Sequence, residues 1–310
     1  MNDILKNLYA NSLRIILKGL RTGDVEELAR IGGIEPAIAA ELAEKLGAAG
    51  EFIPEPTAGA KGYSFNPRYK LALAICAPGK DRAIAAVSDL YGNCIEKAEI
   101  AGNTGSLDFY DHITASYRDK YPALAGLALG LPGLDESSGI PFREHFKTKY
   151  GLPGVFENEV RPGVLGFYEK RRFGEGKCVI ALYVPDSAGP SAGICIDGKL
   201  YRGRDNAAGK VTFLKTSERW RPDSELSLPV IADIALSLSV CFNPDGVVIY
   251  SPWMPPDASR QIRELLLEAV PQEFLPSLEY APDITPDALD GLIQLALQEL
   301  DNPPMIDLLT

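Results

Sequence analysis

Between Gly193 and Gly209 the chain spells out a strand, a tight Asp197-Gly198 turn, a second short strand at Lys199-Leu200, and a turn built from small residues. Asp-Gly between two strand-like runs is a hairpin signal. The closing Ala207-Ala208-Gly209 run lets a backbone approach a ligand or another segment closely. A chain with this hairpin in its second half must supply a sheet for it to join.

The strands of such a sheet are visible. Leu71–Cys76 and Ala83–Val87 are apolar strands, the second ending in a turn at Tyr91-Gly92. Residues 107–121 follow as a helix, Ala125–Leu131 as a strand closed by Pro132-Gly133, and Phe142–Tyr150 as a helix. Val179–Val184 is a buried strand, Ser227–Phe242 a long apolar helix and Gly246–Tyr250 a strand, with helices at 257–270 and 286–300. Strands alternate with helices twice over, which predicts two α/β lobes, about 67–178 and 179–310. No internal sequence repeat is visible.

The first 66 residues read differently. Leu5, Leu8, Leu13, Ile16, Leu17 and Leu20 recur at helical spacing. Thr22-Gly23-Asp24 breaks that helix, and Asp24 is placed to cap the next. Gly32-Gly33 makes a turn, and Pro36 sits in the first turn of a third helix running from Glu35 to Ala48. Phe52-Ile53 and Tyr63-Ser64-Phe65 form a small β wing. The plan is a winged helix-turn-helix over 1–66 and a larger α/β unit over 67–310.

Several motifs occur in an order that resembles the ROK family, which groups bacterial sugar kinases with sugar-responsive repressors. Ser12–Leu17 with Glu27–Arg30 is similar to the repressor head. Asp89–Gly92, Gly130–Asp135, Phe156–Val160 and Asn243–Asp245 are similar to the first-strand turn, the Gly-x-Pro-Gly loop, the Glu-Asn-Asp sugar site and the approach to the last core strand. The Gly193–Gly209 stretch is similar to the sugar-site hairpin. The resemblance implies an N-terminal winged helix-turn-helix followed by a two-lobed actin-like, sugar-kinase (ribonuclease H-like) domain, and a homodimer.

The same resemblance implies lost phosphoryl chemistry. Where the family has Asp-x-Gly-Gly-Thr-Lys, this chain has Ala77–Arg82, in which Pro78 removes an N–H and Ala77 supplies no carboxylate. The second phosphate loop becomes Ser187–Ser191, and Tyr250-Ser251-Pro252 replaces the adenine-side glycines, with Tyr250 expected where the base would lie. Glu159 stands where the family has a catalytic aspartate. Lys210 and Thr212 stand at places that hold a glutamate and a histidine in sugar kinases. The family's zinc loop is missing, since Thr212–Ser227 is short and lacks Cys and His. No cofactor and no metal are expected.

Candidate ligand-binding residues are Asn158, Glu159, Asn206 and Lys210. Asn158 and Glu159 either hydrogen-bond a polyol or form a solvated turn. Lys210 either suits an anionic ligand, such as a sugar phosphate or sugar acid, or is a surface lysine. Candidate phosphate contacts on operator DNA are Lys6, Arg14, Lys18, Arg21, Arg30 and Lys45. Residues 1–56 hold six Lys plus Arg against nine Asp plus Glu, a net of −3 within a chain of net charge −11. Glu35 and Glu41 in the third helix would repel phosphates. That helix is either a DNA reader or a packing element kept from one.

Two histidines, His112 and His145, each follow a carboxylate and are either general bases or solvent-facing helix residues. The five cysteines lack metal or disulfide spacing and are expected to be buried thiols. No basic segment followed by an apolar one opens the chain and no apolar run reaches membrane length, so the cytoplasm is the expected compartment. The leading expectation is a transcriptional regulator of sugar metabolism without enzymatic activity. The alternative is a pseudoenzyme that binds a metabolite or protein but not DNA. A sugar kinase ranks third.

Overall fold

The computed structural model describes residues 3–56, 61–131, 136–152, 154–185, 189–221 and 227–301. Parts of three motifs, Pro132–Asp135, Pro153 and Ser187-Ala188, lie outside the described residues.

The head comprises α1 (Asp3–Leu20), β1 (Thr22–Asp24), α2 (Val25–Gly32), α3 (Pro36–Ala48), β2 (Phe52–Glu55) and β3 (Gly62–Phe65). Asp24 caps α2 by accepting from the Glu27 amide at 2.8 Å. Gly33 ends α2 in the left-handed region, and Pro36 opens α3. Thr22–Asp24 does more than break a helix: it pairs with β3, so the wing is a three-stranded sheet ordered β1-β3-β2. Leu13, Leu17, Leu28, Ala43 and Phe52 fill the core of the head.

The body contains two sheets with the same plan. In the first, β4 (Leu71–Cys76), β5 (Arg82–Ser88) and β6 (Cys94–Ala101) form an antiparallel meander, and β7 (Leu124–Gly130) and β8 (Gly154–Glu157) add in parallel on the other side of β4. In the second, β9 (Cys178–Tyr183), β10 (Ser191–Ile196) and β11 (Lys199–Leu200) form the meander, and β12 (Gly246–Tyr250) and β13 (Ser277–Ala281) add in parallel. The strand orders, β6-β5-β4-β7-β8 and β11-β10-β9-β12-β13, are equivalent. The helices repeat as well: α4 (Leu107–Lys120), α5 (Glu136–Tyr150) and α6 (Val160–Arg171) match α7 (Ser227–Phe242), α8 (Ala258–Leu267) and α9 (Thr285–Asp301). The two α/β lobes expected from the sequence are therefore a duplication in space that the residues no longer record.

α4 and α5 cover the outer face of the first sheet, and α7 and α8 that of the second. The last helix of each half crosses over. α6 packs on β9 and β10 of the second sheet, whereas α9 packs on β4 and β7 of the first. α6 and α9 also pack against each other at the centre of the molecule. Strand faces turned to this centre carry small residues, Ala72, Ala74, Ala128 and Ala181, and the opposite faces carry Leu73, Ile75, Leu127 and Ile180. Both faces are covered, which explains the continuous apolar runs.

The sequence reading omitted α6, β6, β8 and β13. Pro162, Gly163 and Gly166 make α6 a poor helix by propensity. Glycine is required there: a Cβ on Gly166 would lie 1.9 Å from the Asp287 carbonyl oxygen, and one on Gly291 would lie 1.9 Å from that of Pro162. The expectation of buried thiols holds for Cys76 and Cys195 only; Cys94 and Cys241 are exposed. Among the described residues, no helix is long and apolar enough to cross a membrane.

The head rests on the body. Lys18 of α1 pairs with Asp301 of α9 at 2.7 Å, the Arg21 guanidinium lies 4.8 Å over the Tyr91 ring, and Phe65 packs on Tyr91. Gly166→Ala is expected to cost about 3 kcal/mol, because helix backbones must separate to admit one methyl group. Gly19→Ala, on an exposed turn of α1 with open space around it, is expected to be neutral or stabilising. Urea denaturation of both variants tests this; an unchanged midpoint for Gly166→Ala contradicts the seam described here.

Candidate functional site

The hairpin that opened the sequence reading is present. Asp197 and Gly198 both have positive φ and turn β10 into β11. The Ala-Ala-Gly run packs closely on another segment, β10. Gly209, at φ +84°, is tied to β10 through its carbonyl, which accepts from Ala192 N at 2.9 Å. A Cβ at Gly209 would lie 1.9 Å from the Ala192 carbonyl oxygen.

This turn forms one wall of a cleft of about 1630 Å³. The opposite wall comes from the end of β8 and the start of α6, with α5 contributing Arg143 and Lys147. The cleft continues to the head, where Asn11, Ile15 and Lys18 of α1 line it.

Asn158, Asn206 and Lys210 all line this cleft. The Asn158 side chain already has work, since its Oδ1 accepts from the Arg161 amide in the first turn of α6 at 3.2 Å. Glu159 is half-buried and does not line the cleft. It sits instead near Cys76 at the end of β4, whose thiol is pushed up to about 12 by burial and by the Glu159 charge. Asn206 and Lys210 flank the turn, Asn206 with positive φ and Lys210 exposed.

The charged centre of the cleft is a cluster the sequence reading did not single out. Glu157, 5% exposed, accepts from Arg161 Nη1 at 3.0 Å through Oε2. Through Oε1 it accepts from Arg202 Nε at 3.0 Å and Nη2 at 2.6 Å. Arg161 Nη2 donates onward to the Asn206 carbonyl. One buried carboxylate from the first lobe thus holds two guanidiniums, one of them on the second lobe. Such paired, hydrogen-bonded burial is the condition under which an internal charge is tolerated. The only local signal was the four-residue spacing of Glu157 and Arg161, and it carries meaning only once α6 is recognised.

The turn at Ala77–Arg82 lies between β4 and β5, and neighbouring segments use its polar groups. Ala77 N donates to the Gly130 carbonyl, Thr104 Oγ1 donates to the Gly79 carbonyl at 2.7 Å, and Arg82 pairs with Glu99 at 3.0 Å. Tyr250 is fully buried, and its hydroxyl donates to Asp287 of α9 at 2.6 Å. The 212–221 segment consists of two short 3₁₀ turns, and 222–226 lie outside the described residues. Among the described residues, no group of three or more His, Cys, Asp or Glu is arranged to hold a metal ion.

In the head, three of six candidate cations serve the structure. Arg14 forms a two-point pair with buried Glu51, Lys18 pairs with Asp301, and Arg21 stacks on Tyr91. Lys45 pairs with Glu41 one turn away. Arg30 is exposed and Lys6 half-buried. The outward residues of α3 are Pro36, Ala37, Ala40, Glu41, Glu44, Lys45 and Ala48, and its N-cap Glu35 is exposed too.

His112 is exposed. His145 does not work with its neighbour Glu144; its Nε2 lies 2.6 Å from Asp111 on α4. Asp111 also accepts from Lys149 Nζ at 2.6 Å and from the Tyr150 hydroxyl at 2.9 Å, so it ties α5 to α4. Burial alone raises this carboxyl, but the bonds from Lys149, His145 and Tyr150 outweigh it and hold it at about 2.

No family model matches the chain. A xylose repressor of Caldicellulosiruptor bescii is 34% identical over 102 residues, which make up 28% of this chain and 25% of that protein. The chain therefore spans about a quarter of the length of the curated relative it matches. The crystal structure of a ROK family transcriptional regulator, a homolog of the E. coli MLC protein, matches with a TM-score of 0.67 at 14% identity, over 98% of this chain and 99% of that one. The ROK hexokinase of Thermus thermophilus matches with a TM-score of 0.55 at 17% identity, over 74% of this chain and 99% of the hexokinase. The fold is that of ROK regulators and sugar kinases, as the motifs implied.

Because Asp111 is depressed in the folded state, its stabilisation is complete above the unfolded carboxyl's ordinary value of 3.8 and is lost as pH falls towards 2. Asp111→Asn is expected to be less stable at pH 6, with the gap to the parent narrowing between pH 4 and pH 2. Denaturation midpoints of both proteins across that range check it; a gap that is constant with pH contradicts the assignment.

Proposed function

We propose that the protein is a sugar-responsive transcriptional regulator without kinase activity, acting as a homodimer. The observation that carries the reading is the joining of a winged helix-turn-helix to a sugar-kinase fold in one packed unit, the combination matched over 98% of the chain by a ROK regulator. The similarity to a xylose repressor supports a carbohydrate effector. The cleft is where that effector binds, and its continuity with α1 gives binding a route to the head. The loss of phosphoryl transfer is supported by Pro78 and by the use of the Ala77–Arg82 turn in internal hydrogen bonds.

A second reading has its own support. The outward face of α3 carries Glu35, Glu41 and Glu44 against Lys45 alone, and Arg14, Lys18 and Arg21 are committed to internal contacts. Those features favour a metabolite- or protein-binding pseudoenzyme whose head no longer reads DNA.

Fluorescence anisotropy with the protein's own upstream DNA separates the two. The regulator reading expects binding that weakens about 100-fold between 50 and 200 mM salt, as for a handful of phosphate contacts. Glu35→Ser with Glu41→Arg is expected to strengthen it about tenfold, since two carboxylates leave, a cation arrives and Lys45 is released from Glu41. No binding by either protein with the head folded favours the pseudoenzyme. Separately, sugar-dependent ADP release from ATP is expected to stay at background across a panel of hexoses and N-acetylated hexosamines. Turnover abolished by Glu159→Ala would overturn the non-kinase reading.

A further inference from the structure

We infer that the cleft selects an anionic carbohydrate, a sugar phosphate or a sugar acid, over the neutral sugar. This rests on the cleft being the effector site and adds the chemical class of what enters it.

The charge of the cleft opposes that of the chain. The protein carries a net −11, yet the cleft is lined by eight Lys or Arg, with Arg143, Lys147, Arg161, Arg202 and Lys210 on the inter-lobe walls, against five acids, Glu51, Glu157, Asp205, Glu299 and Asp301. An excess of one sign of charge along low-dielectric walls focuses that field into the space between them. Among the described residues, every one of these acids except Glu299 is already ion-paired. Both oxygens of Glu157 are taken by the two arginines, and Asp205 pairs with Arg204 at 3.1 Å. Among the described residues, Arg143, Lys147 and Lys210 have no ion-pair partner.

The hydrogen-bond inventory has the same bias. A neutral sugar presents hydroxyls, each a donor as well as an acceptor, and is held best by carboxylates and amides that take its protons. Here Asn158 Oδ1 accepts from the Arg161 amide and both Glu157 oxygens accept from arginines, which leaves the Asn206 side-chain amide to meet a hydroxyl. What remains is donor-rich: the Lys210 and Lys147 ammonium groups, the Arg143 guanidinium stacked 6.0 Å over Phe156, and Arg202 Nη1. A phosphate or carboxylate accepts only, and it is the partner such a set suits. Asn206 and the turn beside it leave room for a polyol body next to the charge.

The test is calorimetric titration of the full chain with glucose 6-phosphate, glucuronate, inorganic phosphate, glucose and xylose. At least one of the first two is expected to bind about tenfold or more tightly than either neutral sugar, with affinity falling as salt rises. The two arms show which anion is preferred. Lys210→Glu, at an exposed position, is expected to abolish that preference while leaving the melting temperature unchanged. Inorganic phosphate binding as tightly as the ester overturns the carbohydrate part. Neutral sugars binding as well as the anions, or no compound binding, overturns the proposal as a whole. Operator binding is measured on the same preparation; if it persists in any of these cases, the regulator reading stands without this inference.

Discussion

Helices α6 and α9 meet backbone to backbone, and most of the architecture follows from that contact. Each belongs to one lobe by sequence and lies on the sheet of the other. Their approach needs glycine at 166 and 291, and it needs alanine on the strand faces beneath them. Close packing gained this way is paid for in helix propensity, which glycine and Pro162 lower in α6. The contact also places the cleft, because α6 starts where β8 ends and its first turn carries Arg161. Asp287 adds a polar pin at the same seam, receiving the Tyr250 hydroxyl and the Lys170 ammonium.

The Glu157 cluster sets the electrostatics of the cleft as the helix seam sets its shape. A carboxylate buried at the end of a strand would be costly alone, and two arginines neutralise it with one positive charge to spare. The cluster also spans the lobes, since Glu157 ends β8 and Arg202 follows β11. The walls of the cleft are therefore held at a distance fixed by side chains that line it.

Much of this was legible in the residues, for identifiable reasons. Strands buried on both faces read as unbroken apolar runs, and Leu71–Cys76 and Gly246–Tyr250 were found that way. Caps and turns are local chemistry, so Asp24, Pro36 and Asp197-Gly198 were readable too. α6 was not, because its glycines answer to a helix far along the chain. β6 alternates exposed charge with half-buried side chains, as a strand at a sheet edge does, and lacks an apolar run. Asn158, Asn206 and Lys210, drawn from separate motifs, line one cleft. Glu159 fell outside because a helix start sends successive side chains in different directions. Arg202 could not be paired with Glu157 from spacing, since only the meeting of two lobes joins them. The bond from Tyr250 to Asp287 was hidden for the same reason: a strand residue has two faces to choose from, and the sequence does not name the one α9 will cover.

The crossed helices bear on how the chain must fold. The inner face of the first sheet, with Ala72, Ala74 and Ala128, is covered by α9, which lies near the far end of the sequence. During synthesis that face stays open until α9 has emerged, and the head's partner for Lys18, Asp301, is the last residue of that helix. Contacts of such high sequence separation close slowly and leave apolar surface exposed meanwhile. The first lobe thus waits, half-built, on the last helix, and a ribosome-bound chain lacking α9 would carry an uncapped sheet.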